Sequence, residues 1–187
     1  MTLAVQFHPE ADAEFIAGAD WYDERERGLG RRFLRAVCAS VDAAALLREG
    51  ALAIDAKGTG LVLVRDLAVT TMCPHHLLPA HGTATVAYLP GARVAGIGTL
   101  AHVVDVLAHR LTLQERIGDE VVALIVSELG ARGALCRLAL THSCLIARGE
   151  RKTGSIVETL AVAGSFAEAT PDRDLAFLAL GSGGRLG

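Results

Sequence analysis

Leu61-Val62-Leu63-Val64-Arg65-Asp66-Leu67-Ala68-Val69 is the stretch on which the reading of the fold turns. It is short, apolar and β-branched, and it reads as a strand. Downstream, Thr83 to Leu89 has the same character and is closed by Pro90-Gly91, so Val94 to Ile97 is expected to pair back on it as a hairpin. The period then changes. Leu100, Val103, Val104, Leu107 and Leu111 recur at helical spacing, and a second helix over Asp119 to Leu129 stops at Gly130. Leu135 to Ile146 and Ile156 to Val162 return to strand. From Leu61 onward the order is therefore strands, two helices, strands. This predicts an α+β domain over residues 51–187, with a mixed tail after Gly164 and a frayed end over Gly181 to Gly187.

Upstream of Leu61 the character is helical. Pro9 suits a helix start, and Phe15, Ile16, Ala19 and Tyr22 share a loosely helical face. Gly28-Leu29-Gly30 breaks that helix, and Arg31 to Leu47 carries Phe33, Val37, Val41 and Ala44 on one side of another. Residues 1–50 are thus expected to form a helical hairpin segment, with Gly50 to Gly60 as a connector.

Composition narrows the function classes. The 187 residues are 51% hydrophobic and 21% charged, which is enough apolar material for a real core. Aromatics are only 4%, too few for a stacking platform for single-stranded nucleic acid, and the net charge of -3 gives no drive toward phosphate backbones or anionic membranes. No apolar run reaches the roughly 20 residues of a membrane span, and Met1 to Glu14 lacks the basic-then-apolar order of a signal peptide. With only four cysteines the chain reads as cytoplasmic, its thiols open to metal or to packing.

The reactive side chains gather in two segments, Cys73-Pro74-His75-His76 and Thr141-His142-Ser143-Cys144. Thiolate and neutral imidazole are the donors that zinc prefers, and a Cys-x-x-His spacing fits one tight turn. Strand alternation puts Leu138, Leu140, His142 and Cys144 on a single face. A Zn²⁺ held by Cys73, His76 and Cys144 would have three protein ligands and one open position, the count of a catalytic site. His75 and His142 would then be spare imidazoles beside it, suited to moving protons. Cys38 and Cys136 read as packing residues, and His8, His81 and His109 as surface or turn residues.

These segments, with others in order along the chain, resemble the GTP cyclohydrolase I family. The resemblance covers about residues 61–180. It runs through Val64-Arg65-Asp66, Cys73-Pro74-His75-His76-Leu77-Leu78-Pro79, Gly82, Val86-Ala87-Tyr88-Leu89-Pro90, Arg110-Leu111, Gln114-Glu115-Arg116, His142-Ser143-Cys144 and Arg148-Gly149. It implies the tunnelling fold, ββααββ per subunit, with sheets closing into a barrel in a homo-oligomer, commonly a decamer. It implies Cys73, His76 and Cys144 as zinc ligands, His75 and His142 as the acid/base pair, Gln114 and Glu115 as the guanine-recognition pair, and Arg148 as a phosphate contact. The implied reaction is hydrolytic opening of the guanine imidazole ring of GTP at C8. Formate leaves and 7,8-dihydroneopterin triphosphate forms, a step of pterin and tetrahydrofolate biosynthesis.

The chain departs from that family in places. Gly98-Thr99 stands where the family usually has Ser-Lys, His102 where it has Arg, and Pro74 where it has Glu. Fewer cations for the triphosphate leave open a guanine nucleotide or nucleoside with fewer phosphates as substrate. A zinc-stabilised assembly protein without turnover is a further alternative, against which the spare histidines weigh. The family's N-terminal Thr-Pro-x-Arg motif is not recognisable. Instead, Phe7-His8-Pro9-Glu10-Ala11, Trp21-Tyr22 and Gly28-Leu29-Gly30-Arg31-Arg32-Phe33-Leu34 resemble the opening of RelE/ParE-type toxins over about residues 1–37, without the sheet that follows in those proteins.

Overall fold

A computed structural model describes residues 42–54, 60–147 and 151–181, all within the compact unit Val41–Gly187. The helices expected before Val41, with Cys38, Arg31, Arg32 and Arg35, lie outside the described residues. So do Arg148 and Ser182 to Gly187.

In chain order the elements are α1 (Ala43–Glu49), β1 (Ala51–Ala53), β2 (Val62–Met72), β3 (Pro79–Leu89), β4 (Arg93–Ala95), α2 (Ile97–Ala108), α3 (Gln114–Leu129), β5 (Gly133–His142), α4 (Ser143–Ile146), β6 (Val157–Gly164) and α5 (Pro171–Gly181). The ββααββ core is present as β2, β3, α2, α3, β5 and β6. Its four strands form one antiparallel sheet in the order β2-β3-β5-β6. The fold class is α+β, as the sequence predicts.

Helices α2 and α3 cover one face of this sheet. On α3, Gln114, Ile117, Gly118, Val121, Val122, Ile125 and Leu129 are buried, a complete helical stripe. They meet Val86, Tyr88, Cys136, Leu138 and Leu140 of the central strands. Gly118 lets the helix lie close, because a Cβ there would already press on the Ala161 side chain. Gly130 ends α3 in the left-handed region at φ 63°, as its position predicts. The opposite face of the sheet carries a smaller cluster of Ala87, Leu89, Leu135, Phe166 and Ala176.

Several expectations are corrected by the packing. Val94 to Ile97 does not fold back on β3, because β2 and β5 already occupy both hydrogen-bonding edges of β3. Arg93–Ala95 pairs instead with Ala51–Ala53, part of the stretch expected to be a connector, and Ile97 opens α2. The helix expected over Arg31 to Leu47 does not run through Asp42. Asp42 has extended backbone (ψ 97°) and caps α1 by accepting from the N–H groups of Ala44 and Ala45. Leu111 falls beyond α2, which ends where the backbone N–H of His109 and its Nδ1 both meet the Asp105 carbonyl.

The tail is more ordered than expected, since α5 begins at Pro171 with Asp172 and Asp174 in its first turn. Its far end is held from β2. The Arg65 guanidinium donates to the carbonyls of Ala179 and Leu180 from a bulge where Asp66 adopts φ 54°. Among the described residues, no helix is long and apolar enough to cross a membrane.

Candidate metal centre

The first reactive segment is the hairpin loop between β2 and β3. The ladder ends at the pair Met72↔Pro79, and the loop Cys73 to Leu78 closes on itself through Cys73 N–H to Leu78 O (3.0 Å) and Leu77 N–H to Cys73 O (2.9 Å). Leu77 takes φ 51°, an uncommon conformation for a residue with a Cβ, and this tightens the turn. The result brings Cys73 Sγ to 3.6 Å from His76 Nδ1.

Strand register supplies the second segment. Because β3 starts directly after the loop and runs antiparallel to β5, Ala80 faces His142 and His81 faces Thr141. The end of β5 thus lies beside the Cys73 loop. Cys144 is not on that strand, contrary to the alternation argument. The β3 side of the ladder runs out at Pro79, which has no N–H to give, and the chain coils into the single turn α4. Ala147 N–H to Ser143 O (2.9 Å) closes this turn.

From α4 the Cys144 thiol joins the loop. One donor atom each from Cys73, His76 and Cys144 lies within 4.8 Å of the others. Ideal zinc bond lengths place sulfur and nitrogen ligands about 3.6 Å apart along a tetrahedron edge. The Cys73–His76 separation already equals that edge, and all three donors are of the soft or borderline kind zinc takes. The set fits a metal ion.

The neighbouring histidines have different settings. His75 is exposed, with its ring 6.2 Å from that of His76 in an edge-on arrangement. His142 is half-buried, and burial holds its pKa below the ordinary imidazole value while the charge of Glu115 opposes that shift. His81 and His109 are exposed and Cys136 is buried, as expected of them; burial pushes the Cys136 thiol up to about 12.

Helix α3 reaches this site through its first residue, five positions ahead of the expected helix start at Asp119. A parallel bridge between Met72 and Leu111 ties the segment before α3 to the end of β2. Glu115 is exposed at that end of the helix. Gln114 is not: it is 3% exposed. Its amide nitrogen donates to Val157 O (2.9 Å), Leu138 O (3.2 Å) and Thr159 Oγ1 (3.2 Å), and its Oε1 meets His142 Nε2 at 2.8 Å. The sequence motif carries no signal of these bonds, because they join residues of three separate elements.

Further along, Gly98 and His102 are placed on α2, Gly98 exposed, while Thr99 is packed against Gly50.

The family model for GTP cyclohydrolase I matches residues 29–180. A GTP cyclohydrolase 1 from Leifsonia xyli subsp. xyli is 39% identical over 150 residues, covering 80% of this chain and 73% of that protein. Its counterpart from Rhodopirellula baltica is 47% identical over 106 residues, covering 57% of this chain and 46% of that protein. The one from Chromobacterium violaceum is 45% identical over 106 residues, covering 57% and 52%. The match thus spans about half the length of the latter two relatives. Among solved structures, the archaeosine synthase QueF-Like in its apo form is similar with a TM-score of 0.46 and 18% identity, over 56% of this chain and 94% of that one. With the family model matching well over half of its residues, this chain belongs to the GTP cyclohydrolase I family.

Proposed function

We propose that the protein opens the imidazole ring of GTP at C8 by hydrolysis, releasing formate and forming 7,8-dihydroneopterin triphosphate. The observation that carries this reading is the convergence of Cys73, His76 and Cys144 in a chain of this family. These three residues would hold a Zn²⁺ ion, which when bound lowers the pKa of water and polarises the reacting centre. In the balanced reaction one water is consumed and C8 departs as formate.

In this reading His142 and His75 would be the groups that move protons. His142 would take or give a proton at the ring nitrogen left free by Gln114, and His75, exposed in the Cys73 loop, would serve the other side of the transfer. Glu115 would accept from the guanine N1–H and amino group, and Arg148 would contact the phosphates. Self-association is part of this reading. β2 and β6 are the edges of the sheet, and Ile156 and Leu160 at the β6 edge are exposed. A ring of subunits, decameric in the family, would cover those edges.

A second reading keeps the chemistry and reduces the phosphates. It is favoured by exposed Gly98, by Thr99 packed on Gly50 and by His102, where no permanent cation awaits a triphosphate. One experiment tests both. The zinc-loaded protein is incubated with GTP, GDP, GMP and guanosine, and formate and pterin fluorescence are followed. Formate from none of the four would overturn the enzymatic reading and leave a zinc-stabilised assembly protein.

A further inference from the structure

Gln114 is buried at the first position of α3, and its amide is engaged at both ends. Two backbone carbonyls, Leu138 O and Val157 O, surround the nitrogen end, together with Thr159 Oγ1. Carbonyl oxygens only accept, so that end must be the NH₂ group, and the end facing His142 must be the oxygen. An amide oxygen is an acceptor alone. The ring nitrogen at 2.8 Å from it, His142 Nε2, must therefore carry a hydrogen. In a neutral imidazole the other nitrogen then holds the lone pair.

We infer that Gln114 is a positioning residue that holds His142 as its Nε2–H tautomer and leaves Nδ1 as the ring nitrogen able to accept a proton. The device draws on three parts of the fold at once. Leu138 lies on β5, Val157 and Thr159 on β6, and Gln114 on α3, so the orientation of His142 is built into the helix-on-sheet packing. This departs from the guanine-contacting role implied by the Gln114-Glu115 motif, since the Gln114 amide already has partners at both ends. The inference rests on the acid/base role proposed above for His142.

The test has two arms. Neutron diffraction from the zinc-loaded protein at pH 8 locates the hydrogens directly. Deuterium on His142 Nε2 with none on Nδ1 is expected; deuterium on Nδ1, with or without one on Nε2, overturns the assignment. Steady-state kinetics with GTP supply the second arm. Gln114→Met should lower kcat by about 10–100-fold, the usual effect of removing an orienting partner, with KM changed by less than about threefold and zinc content unchanged. The same substitution in a His142→Ala background should lower kcat no further. A rise in KM of tenfold or more with kcat intact would show instead that Gln114 binds substrate. Should Gln114→Met fail to fold, the neutron map of the parent protein still decides. Full kcat in His142→Ala alone would remove the acid/base role of His142, and the tautomer would then be judged from the map independently of it.

Discussion

Cys144→Ala removes one of three donors, and the structure indicates what is left. Cys73 and His76 remain 3.6 Å apart on a loop closed by its own backbone hydrogen bonds, so a two-donor chelate survives. Cys144 arrives from a separate element, α4, and nothing else on that turn offers a thiolate. Apparent zinc affinities of roughly 10–16 kcal/mol for four-ligand sites give about 2.5–4 kcal/mol per ligand, or about 10²–10³-fold in dissociation constant. The assay is competition for zinc against a chromophoric chelator, paired with metal analysis after dialysis. The variant should retain less than about a tenth of the parent's zinc at chelator concentrations that leave the parent full. Cys136→Ala is the control. That thiol is fully buried in the helix-facing core, away from the loop, and its loss should lower stability by about 1 kcal/mol while zinc content stays at the parental value. Full zinc in Cys144→Ala, or loss of zinc in Cys136→Ala, would refute the ligand assignment.

His75→Ala and His142→Ala should both keep their zinc and lower kcat by about 10²–10⁴-fold, as read by metal analysis and formate release; zinc loss from either would make it a ligand rather than an acid or base. Thr99→Lys with His102→Arg should raise kcat/KM for GTP relative to GMP by about tenfold or more, since each restored charge-assisted contact contributes on the order of 1.5–3 kcal/mol; an unchanged ratio would place the phosphate contacts elsewhere. Cys136 gives a pH dependence. Its thiol stays protonated in the folded chain up to about 12, while the unfolded thiol ionises near 9.0, so above pH 9 the unfolded state binds fewer protons and stability falls as pH rises. At pH 10 this amounts to on the order of 1 kcal/mol relative to pH 8, and urea unfolding of Cys136→Ala should lack that share of the loss.

The division between α2, α3 and the sheet has a simple cause. The α3 stripe from Ile117 to Leu129 repeats at helical spacing and meets strand residues that alternate, so local period and buried face coincide. Where the two disagree, tertiary pairing prevails. Arg93–Ala95 has strand character and no free edge on β3, so it takes Ala51–Ala53 as partner. α5 is not legible in the sequence because Leu175 to Leu180 is an unbroken apolar run, in which the packed residues Ala176, Phe177 and Leu180 do not stand out from the exposed Leu175 and Leu178.

The α+β class, the order of the six core elements, the stop at Gly130 and the identity of the donors Cys73, His76 and Cys144 are all legible in the chain before it folds. Each depends on residue type, on spacing within one element or on motif order, all of which are written locally. The convergence of those donors comes from tertiary structure: from the Pro79 start of β3, the Ala80↔His142 register and the turn at Ser143 that lifts Cys144 off the strand. The hydrogen bonds of Gln114 are the clearest case. Beside Glu115 in the chain it reads as half of a recognition pair. In the folded protein its partners come from His142, Leu138, Val157 and Thr159. A buried amide bonds to whatever acceptors and donors packing brings within about 3 Å, and neighbours in space at that distance are not neighbours in sequence.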